Sequence, residues 1–395
     1  MKLTKQHWII LAILITEVLG FSLILPFLPF YAKEFGASPL QIGLILTSFS
    51  FFQFLSAPIM GKLSDHYGRR PLLLLSQLST FISFIILGFS NSLWMIALSR
   101  IVDGMLGSNN SIAQAYLSDI STKKNRSKIF GLSGVAFGFG FMIGPAIGGF
   151  LAKYSFALPS FLAAAVSLVT ILMTYFLLPE TVKRNGKKFD FKLKILDIHN
   201  FSKYFFKSES ALKLRQFFTY ILSHLLWTSS FAIYADFKYG LGPAQVGIVA
   251  AYIGVVSIVM RGFLIPKLID KFGEKRLVKI GVLFVLLGLI AVGFSHTLLT
   301  LIVAVNIFAI GSGMMRPLMM GAISRSVSDK EQGAVLGVAN SLNSLAQIIA
   351  PLAGGYVLSN FPPDFLIATS VMTMILGFLI NGGGVLGKNI NNRKS

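Results

Sequence analysis

The apolar residues of this chain fall in long uninterrupted blocks, and nothing else in the sequence restricts the possible folds so strongly. Residues 8–31, 42–60 and 71–89 are the first three. Each supplies the ~20 residues that a helix needs to cross the hydrocarbon core of a bilayer. Backbone polar groups in that core are satisfied only in helices or closed barrels, and barrel strands alternate apolar with polar residues. These blocks do not alternate. Further spans are expected near 92–118, 128–151, 158–178, 214–237, 243–265, 277–295, 298–323, 334–358 and 364–386. The expected fold is an all-α membrane protein of twelve transmembrane helices. With 54% hydrophobic and 13% charged residues, a soluble domain of this length would lack the charge to cover its surface. The first span exceeds a signal-peptide core and has no small-residue cleavage site, so it is expected in the mature protein. Cysteine is absent, which excludes disulfides and thiolate metal sites, and no metal or cofactor is expected.

The net charge of +20 suggests a nucleic-acid partner only until the charges are placed. With the N-terminus inside, 29 of the 35 Lys and Arg fall in cytoplasmic segments, against Lys33, Lys153 and Lys238 outside. Arg100, Arg261 and Arg316 lie inside spans. This asymmetry places both termini in the cytoplasm and the chain in an inner or plasma membrane. The basic residues report topology and lipid contact, not nucleic acid.

The sequence also repeats itself. Gly36, Pro39, Gln41 and Gly43 match Gly240, Pro243, Gln245 and Gly247 at an offset of 204; Asp65 and Gly68 match Asp270 and Gly273 at 205; Gly131, Pro145, Gly148 and Gly149 match Gly337, Pro351, Gly354 and Gly355 at 206. Three ordered matches with a slowly drifting offset indicate duplication. The expected domains are a six-helix bundle over 1–180, a cytoplasmic linker over 181–213 and a second bundle over 214–395. Parallel repeats of this kind belong to transporters whose site lies centrally, where the repeats meet. The linker is Lys-rich, with Phe189, Phe191, Leu193, Ile195 and Leu196 among the charges. It reads equally as an interfacial helix on the inner leaflet or as a solvated connection.

Between the second and third spans stands Gly61-Lys-Leu-Ser-Asp65-His-Tyr-Gly68-Arg69-Arg70. Gly61 permits close helix approach and Gly68 a tight turn. Asp65 can cap a helix N-terminus, and Arg69 can pair with an acid at another helix end. Such bonds form a latch that exists in one conformation and breaks in another; the plainer alternative is a basic loop that sets topology alone. The segment resembles the loop signature of the major facilitator superfamily, and the resemblance extends over nearly the whole chain. It implies that Asp65 meets the start of the eleventh span in an outward-open state, and that Arg69 pairs with Asp119 at the end of the fourth. The second copy keeps Asp270 and Gly273 but has Pro266 and Glu274 where the first has Gly61 and Arg69, so its latch is expected to be weaker.

The fifth span carries Gly138, Gly140, Gly144, Pro145, Gly148 and Gly149, a density that lets helices pack backbone to backbone around a proline kink. Gly144-Pro145-Ala-Ile-Gly148-Gly149 resembles the signature of the superfamily's proton antiporters, which implies export rather than uptake. In the fourth span, Arg100, Asp103, Gly107, Asn110 and Gln114 are spaced 3, 4, 3 and 4 apart, one face of a continuous helix. A stripe so polar faces the bundle interior or a water-filled cavity. Arg100 with Gly104 and Gly107 resembles the superfamily's fourth-span signature, whose Arg is linked to proton transfer; an Arg100–Asp103 pair that only fixes packing is the alternative. Glu17 is a lone carboxylate in an apolar span, suited to proton exchange, to balancing a cationic substrate, or to a structural hydrogen bond. Its context, Glu17-Val-Leu-Gly20 through Pro26 and Pro29, resembles the first span of tetracycline/proton exporters, whose acid there is functional.

At ~1.5 Å per residue, Glu17 lies roughly 14 Å above the inner end of its span, and Arg100 roughly 28 Å above Asp119. Asp103 is therefore the expected partner of Arg100, and Asn109 and Asn110 lie nearer the level of Glu17. The second half offers polar stripes without carboxylates: Asn340, Asn343 and Gln347 on the eleventh span, Asn306 and Arg316 on the tenth. Arg316 alternatively snorkels to the inner surface. His224, Trp227, Phe231 and Tyr234 share a face of the seventh span, where aromatic residues serve packing more often than ligand contact. These residues, with Asn109, Asn110 and Gln114, are the candidates for substrate contact. The five His are scattered, no enzyme constellation emerges and no nucleotide-binding loop is present, so an ion gradient must supply the energy.

The expected function is proton-coupled export of a small amphipathic compound, with Glu17, Arg100 and Asp103 handling protons in a monomer. The exporters it resembles also carry acids in spans three and nine. Here the third-span position falls near Ser83 and the ninth span has no carboxylate, which points away from tetracycline itself. The competing readings are a superfamily transporter of a physiological solute or lipid, and a non-transporting receptor or scaffold.

Overall fold

The computed structural model describes residues 4–122, 126–182 and 198–379. Among them every regular element is helical: α1 (Lys5–Ile24), α2 (Leu28–Glu34), α3 (Pro39–Tyr67), α4 (Arg69–Gly88), α5 (Leu93–Leu106), α6 (Asn109–Ile120), α7 (Arg126–Leu151), α8 (Ala157–Leu177), α9 (Ile198–Ser202), α10 (Ala211–Tyr239), α11 (Pro243–Val259), α12 (Ile265–Phe272), α13 (Glu274–Gly293), α14 (Leu298–Ser324), α15 (Gln332–Asn360) and α16 (Asp364–Leu379). Nine helical runs among these residues are long and apolar enough to cross a membrane. Besides the short α9, four helices fall outside that group: the interrupted pair α5 and α6, the more polar α10 and the shorter α16. The apolar residues that suggested an interfacial helix, Phe189 to Leu196, lie outside the described residues. What is described is α9, running into a wide π-type turn at Lys203–Lys207.

Two expected spans are not continuous. The first breaks at residues 25–27, where Pro26 lacks an amide proton and Pro29 starts α2 well. The fourth breaks at Gly107 and Ser108. A Cβ on Gly107 would collide with the Asp103 carbonyl, so only glycine allows the turn. The backbone groups freed there are taken up by neighbours: Gln53 Nε2 donates to Gly107 O (2.9 Å), Ser56 Oγ to Gly104 O (3.0 Å), and Ser108 N to Ser76 Oγ (2.8 Å). An interrupted helix at membrane depth is tolerated only with such partners.

Both copies of the repeat use the same local geometry. Gly36 and Gly240 have φ of 75° and 64°, and Gly68 and Gly273 have φ of 111° and 74°, values that favour glycine. After the first of these turns, Gln41 Oε1 accepts from Ser38 N (2.8 Å), and Gln245 Oε1 accepts from Gly242 N (3.1 Å). Each glutamine thus reaches back over the start of its own helix.

The chain forms two compact units: residues 1–195 with 235–255, and residues 196–234 with 256–395. In the first, the small residues of α7 bring it against α1 on one side and α11 on the other. A Cβ on Gly144 or Gly148 would collide with Ser22 or Leu23, and Gly149 and Gly247 approach with no room for side chains. Ser22 Oγ donates to Gly140 O across the α1–α7 contact (2.8 Å). At the end of α2, Lys33 pairs with Asp236 at 2.5 Å. In the second unit, α13 and α14 meet at Gly288 and Gly311, and Trp227 packs at 5.1–5.2 Å from Phe231 and Tyr234.

Candidate functional site

The break in the fourth span decides what meets Glu17. It turns the chain so that Asn109, the first residue of α6, faces the carboxylate, while Asn110 is exposed and bonds instead to Gln114 (3.5 Å). The single polar face expected from the 3-4-3-4 spacing is thus divided, because the spacing assumes a helix that Gly107 interrupts. Asn109 Nδ2 donates to Glu17 Oε2 at 2.7 Å and to Thr80 Oγ1 at 3.0 Å. Thr80 Oγ1 donates to Asp103 Oδ1 at 2.8 Å. Asp103 Oδ2 pairs with Arg100 Nη1 at 3.4 Å, and Arg100 Nη2 donates to Ser83 Oγ at 2.9 Å. One connected line therefore joins Glu17, Asn109, Thr80, Asp103, Arg100 and Ser83, drawn from α1, α4, α5 and α6.

Arg100 and Asp103 are each 3% exposed, so neither charge has an alternative partner in bulk water. The guanidinium also lies 5.8 Å from the Phe84 ring. Glu17 is only half-buried. Its Oε1 is buried, and the fully buried Gln77 amide lies beside it within reach of the carboxylate, although no hydrogen bond of ordinary geometry joins them.

The loop between α3 and α4 forms a second cluster. Arg69 Nη1 pairs with Asp65 Oδ1 (2.6 Å) and Arg69 Nε with Asp119 Oδ2 (2.9 Å), while Nη1 also donates to Ser64 Oγ (2.7 Å). Glu180, not singled out from the sequence, holds the cluster together. Its carboxylate accepts from the backbone amides of Arg69 (2.9 Å) and Arg70 (3.1 Å) at the start of α4, where an anion is favoured. A Cβ on Gly68 would collide with that carboxylate. Thr181 Oγ1 donates to Asp119 (3.2 Å), Tyr116 OH to Pro179 O (2.8 Å), and Arg70 to the carbonyl of Tyr175. The only sequence signal for Glu180 is an acid directly after an apolar span.

In the second copy Asp270 is exposed. Glu274, which stands where Arg69 stands in the first, pairs with Arg325 at the end of α14, and Arg325 corresponds to Asp119 at the offset of 206. The bridge is repeated with its charges exchanged.

Of the remaining candidates, Trp227, Phe231 and Tyr234 are buried, with Tyr234 OH donating to Asp364 Oδ1 (3.3 Å). A substrate would reach them only if that packing opened. His224 stacks on Phe308 at 5.4 Å. Asn306, Asn343 and Gln347 are half-buried, and Arg316 and Asn340 are accessible. Among the described residues there is no group of His, Asp and Glu that could hold a metal ion.

The family model of the Major Facilitator Superfamily matches residues 10–260 and, again, 216–385. The chain belongs to the Major Facilitator Superfamily. Its similar superfamily relatives include a class B tetracycline resistance protein of Escherichia coli, 31% identical and aligned over 87% of this chain and 86% of the relative. A class H tetracycline resistance protein of Pasteurella multocida is 29% identical over 90% of each, and multidrug resistance protein 2 of Bacillus subtilis is 28% identical over 93% of each. Among solved superfamily structures, the human organic anion transporter MFSD10 matches with a TM-score of 0.73 at 21% identity, covering 96% of this chain and 99% of its own. The nucleoside transporter NupG matches with a TM-score of 0.77 at 13% identity, over 94% and 97%. The chain is a multi-pass membrane protein of the superfamily fold.

Proposed function

We propose that this protein is a proton-coupled exporter of small amphipathic drugs that works by alternating access in the inner or plasma membrane, as a monomer with both termini in the cytoplasm. The line from Glu17 to Arg100 carries this reading, in a chain whose relatives confer tetracycline or multidrug resistance. Glu17 is the acid that exchanges a proton: it is a half-buried carboxylate in an apolar span, lies beside the buried Gln77 amide, and is tied through Asn109 and Thr80 to the Arg100–Asp103 pair. Protonation of Glu17 favours release of substrate outside, and deprotonation inside resets the site. The cluster of Asp65, Arg69, Asp119 and Glu180 biases the two states. The functional halves are residues 1–180 and 214–395, with 181–213 as linker. Where the exporters it resembles carry a third-span acid, Ser83 is bound to Arg100, which favours a multidrug profile over tetracycline alone.

A pump-deficient host carrying the gene, screened against a compound panel that includes tetracycline, identifies the substrate. Purified protein in liposomes with an imposed pH gradient then tests the coupling. Glu17→Gln should abolish gradient-driven transport while retaining substrate binding; full gradient-driven transport by that variant would refute the assigned role.

A further inference from the structure

The three arginines within the spans have very different surroundings. Arg100 has Asp103. Arg261 and Arg316, both in the second unit, make no side-chain hydrogen bond or ion pair with any described residue. The acids of the described part of that unit, Glu209, Asp270, Glu274, Asp329, Glu331 and Asp364, all sit at helix ends or in loops. Among the described residues of that unit, no carboxylate shares the depth of these two arginines.

The two are nevertheless neighbours. Arg261 sits in a wide π-type turn at Met260–Leu264, between α11 and α12, and Arg316 in α14. Each lies eighteen residues from the outer start of its helical run, at Pro243 and Leu298, or ~27 Å at the usual rise. The runs touch at that level: a Cβ on Gly313 would lie 3.2 Å from Met260 Cβ and 4.0 Å from Ser257 Cα. Arg261 follows Met260, and Arg316 lies one turn beyond Gly313. Each is within electrostatic reach of the other and of Tyr220 and His224. Tyr220 OH is committed to Ser312 O (3.2 Å), whereas His224 Nδ1 is buried without a partner among the described residues. Both arginines remain accessible.

Two like charges at one depth, with no acid of their own unit beside them, repel each other and are costly to hold inside a membrane unless an anion or water answers them. Snorkelling accounts for a single arginine on a lipid face; it gives no reason for two to sit either side of a glycine contact. A π-type turn is uncommon and is frequently kept at functional sites. Guanidinium groups bind planar or tetrahedral oxyanions through paired N–H donors.

We propose that Arg261 and Arg316 bind the anionic group, a carboxylate, sulfonate or phosphate, of the transported molecule, so that its substrates are amphipathic anions. This rests on the transport reading above and adds the substrate class: acids serve protons in the first unit, and bases serve the substrate in the second.

Two naphthalene probes of equal ring size test it on the purified full chain in phosphatidylcholine nanodiscs: naphthalene-2-sulfonate and (naphthalen-2-ylmethyl)trimethylammonium. The sulfonate should bind at least about tenfold more tightly than the ammonium compound. Arg261→Gln and Arg316→Gln should each weaken it about tenfold, Arg→Lys less so, with elution profile and melting temperature unchanged. Equal binding of the two probes by the unaltered protein, or undiminished sulfonate binding by the Gln variants, would overturn the proposal. So would displacement of the sulfonate by phosphatidylglycerol at a few molecules per protein, which would assign the arginines to a lipid headgroup. If gradient-driven export of compounds from the panel persists in any of these cases, the transport reading stands and only the substrate class falls.

Discussion

Asn109 is the residue on which the candidate site turns, because its two amide protons serve Glu17 and Thr80 at once. Its removal strands a carboxylate oxygen and takes from Thr80 the bond it accepts, leaving only the one it donates to Asp103, at a cost of about 1–3 kcal/mol. Asn109→Leu should therefore lower the melting temperature and reduce gradient-driven transport about tenfold. Asn109→Asp, nearly equal in size but without the donor, should fall as far; wild-type transport by the Asp variant would show that donation is unimportant. The sequence made Glu17, Arg100 and Asp103 legible, since charges inside apolar spans stand out, and their relative depths favour Asp103 over Glu17 as the partner of Arg100. It did not separate Asn109 from Asn110. Helical periodicity runs unchanged through Gly107-Ser108, and only the collision of a side chain with the Asp103 carbonyl shows why the turn falls there.

At the scale of elements, the glycines of α7 do the work that larger residues do in soluble cores. Gly148 faces the backbone of Leu23 so closely that an added methyl must push α1 and α7 apart. Gly148→Ala should lower thermal stability by about 1–3 kcal/mol and reduce transport, while Gly131→Ala, with open space around it, should leave both near wild type. Comparison of the two in a detergent melting assay checks the packing account, which fails if both behave alike. A second element contact is electrostatic. Glu331, just before α15, accepts from Lys203 Nζ (2.7 Å), Tyr204 OH (3.0 Å) and Ser328 Oγ (3.0 Å). These donors, Lys203 first, hold its carboxyl well below the usual range, at about 2. A depressed acid contributes above its ordinary value and loses that contribution as pH falls through the lowered one. The tie between the π-type turn and α15 should thus persist at pH 4, where an ordinary carboxylate is largely protonated. Hydrogen exchange over residues 203–207, corrected for intrinsic rates, should be alike at pH 7 and pH 4, and Glu331→Gln should speed it at both.

For the whole molecule, the duplication was readable because glycine, proline and acid positions recur in order, and the paired positive-φ turns are its physical basis. The cluster at the α3–α4 loop was only partly readable. Arg69 and Asp119 belong to a motif, whereas Glu180 and Arg325 carry no pattern of their own and acquire meaning only when the chain folds back. The two bridges also differ in setting. The Arg69 side chain is 11% exposed, and those of Arg325 and Glu274 are 56% and 36% exposed. Asp119→Asn should cost about 2–3 kcal/mol because it weakens charged hydrogen bonds to a largely buried guanidinium. Glu274→Gln should cost less than about 1 kcal/mol, as exposed pairs do. Exchanging both charges in the second copy, Glu274→Arg with Arg325→Glu, should restore whatever either single reversal loses; failure of that rescue would show that the bridge has no role as a pair.

The link between Glu17 and Asp103 passes through a carboxamide. Asn109 donates in both directions and has no exchangeable lone-pair site between its two N–H groups, so the line transmits position but is an insulator to protons. On the proposed reading a proton on Glu17 is exchanged on the side away from Asn109, and Asp103 senses it through the field of the charge rather than by receiving the proton.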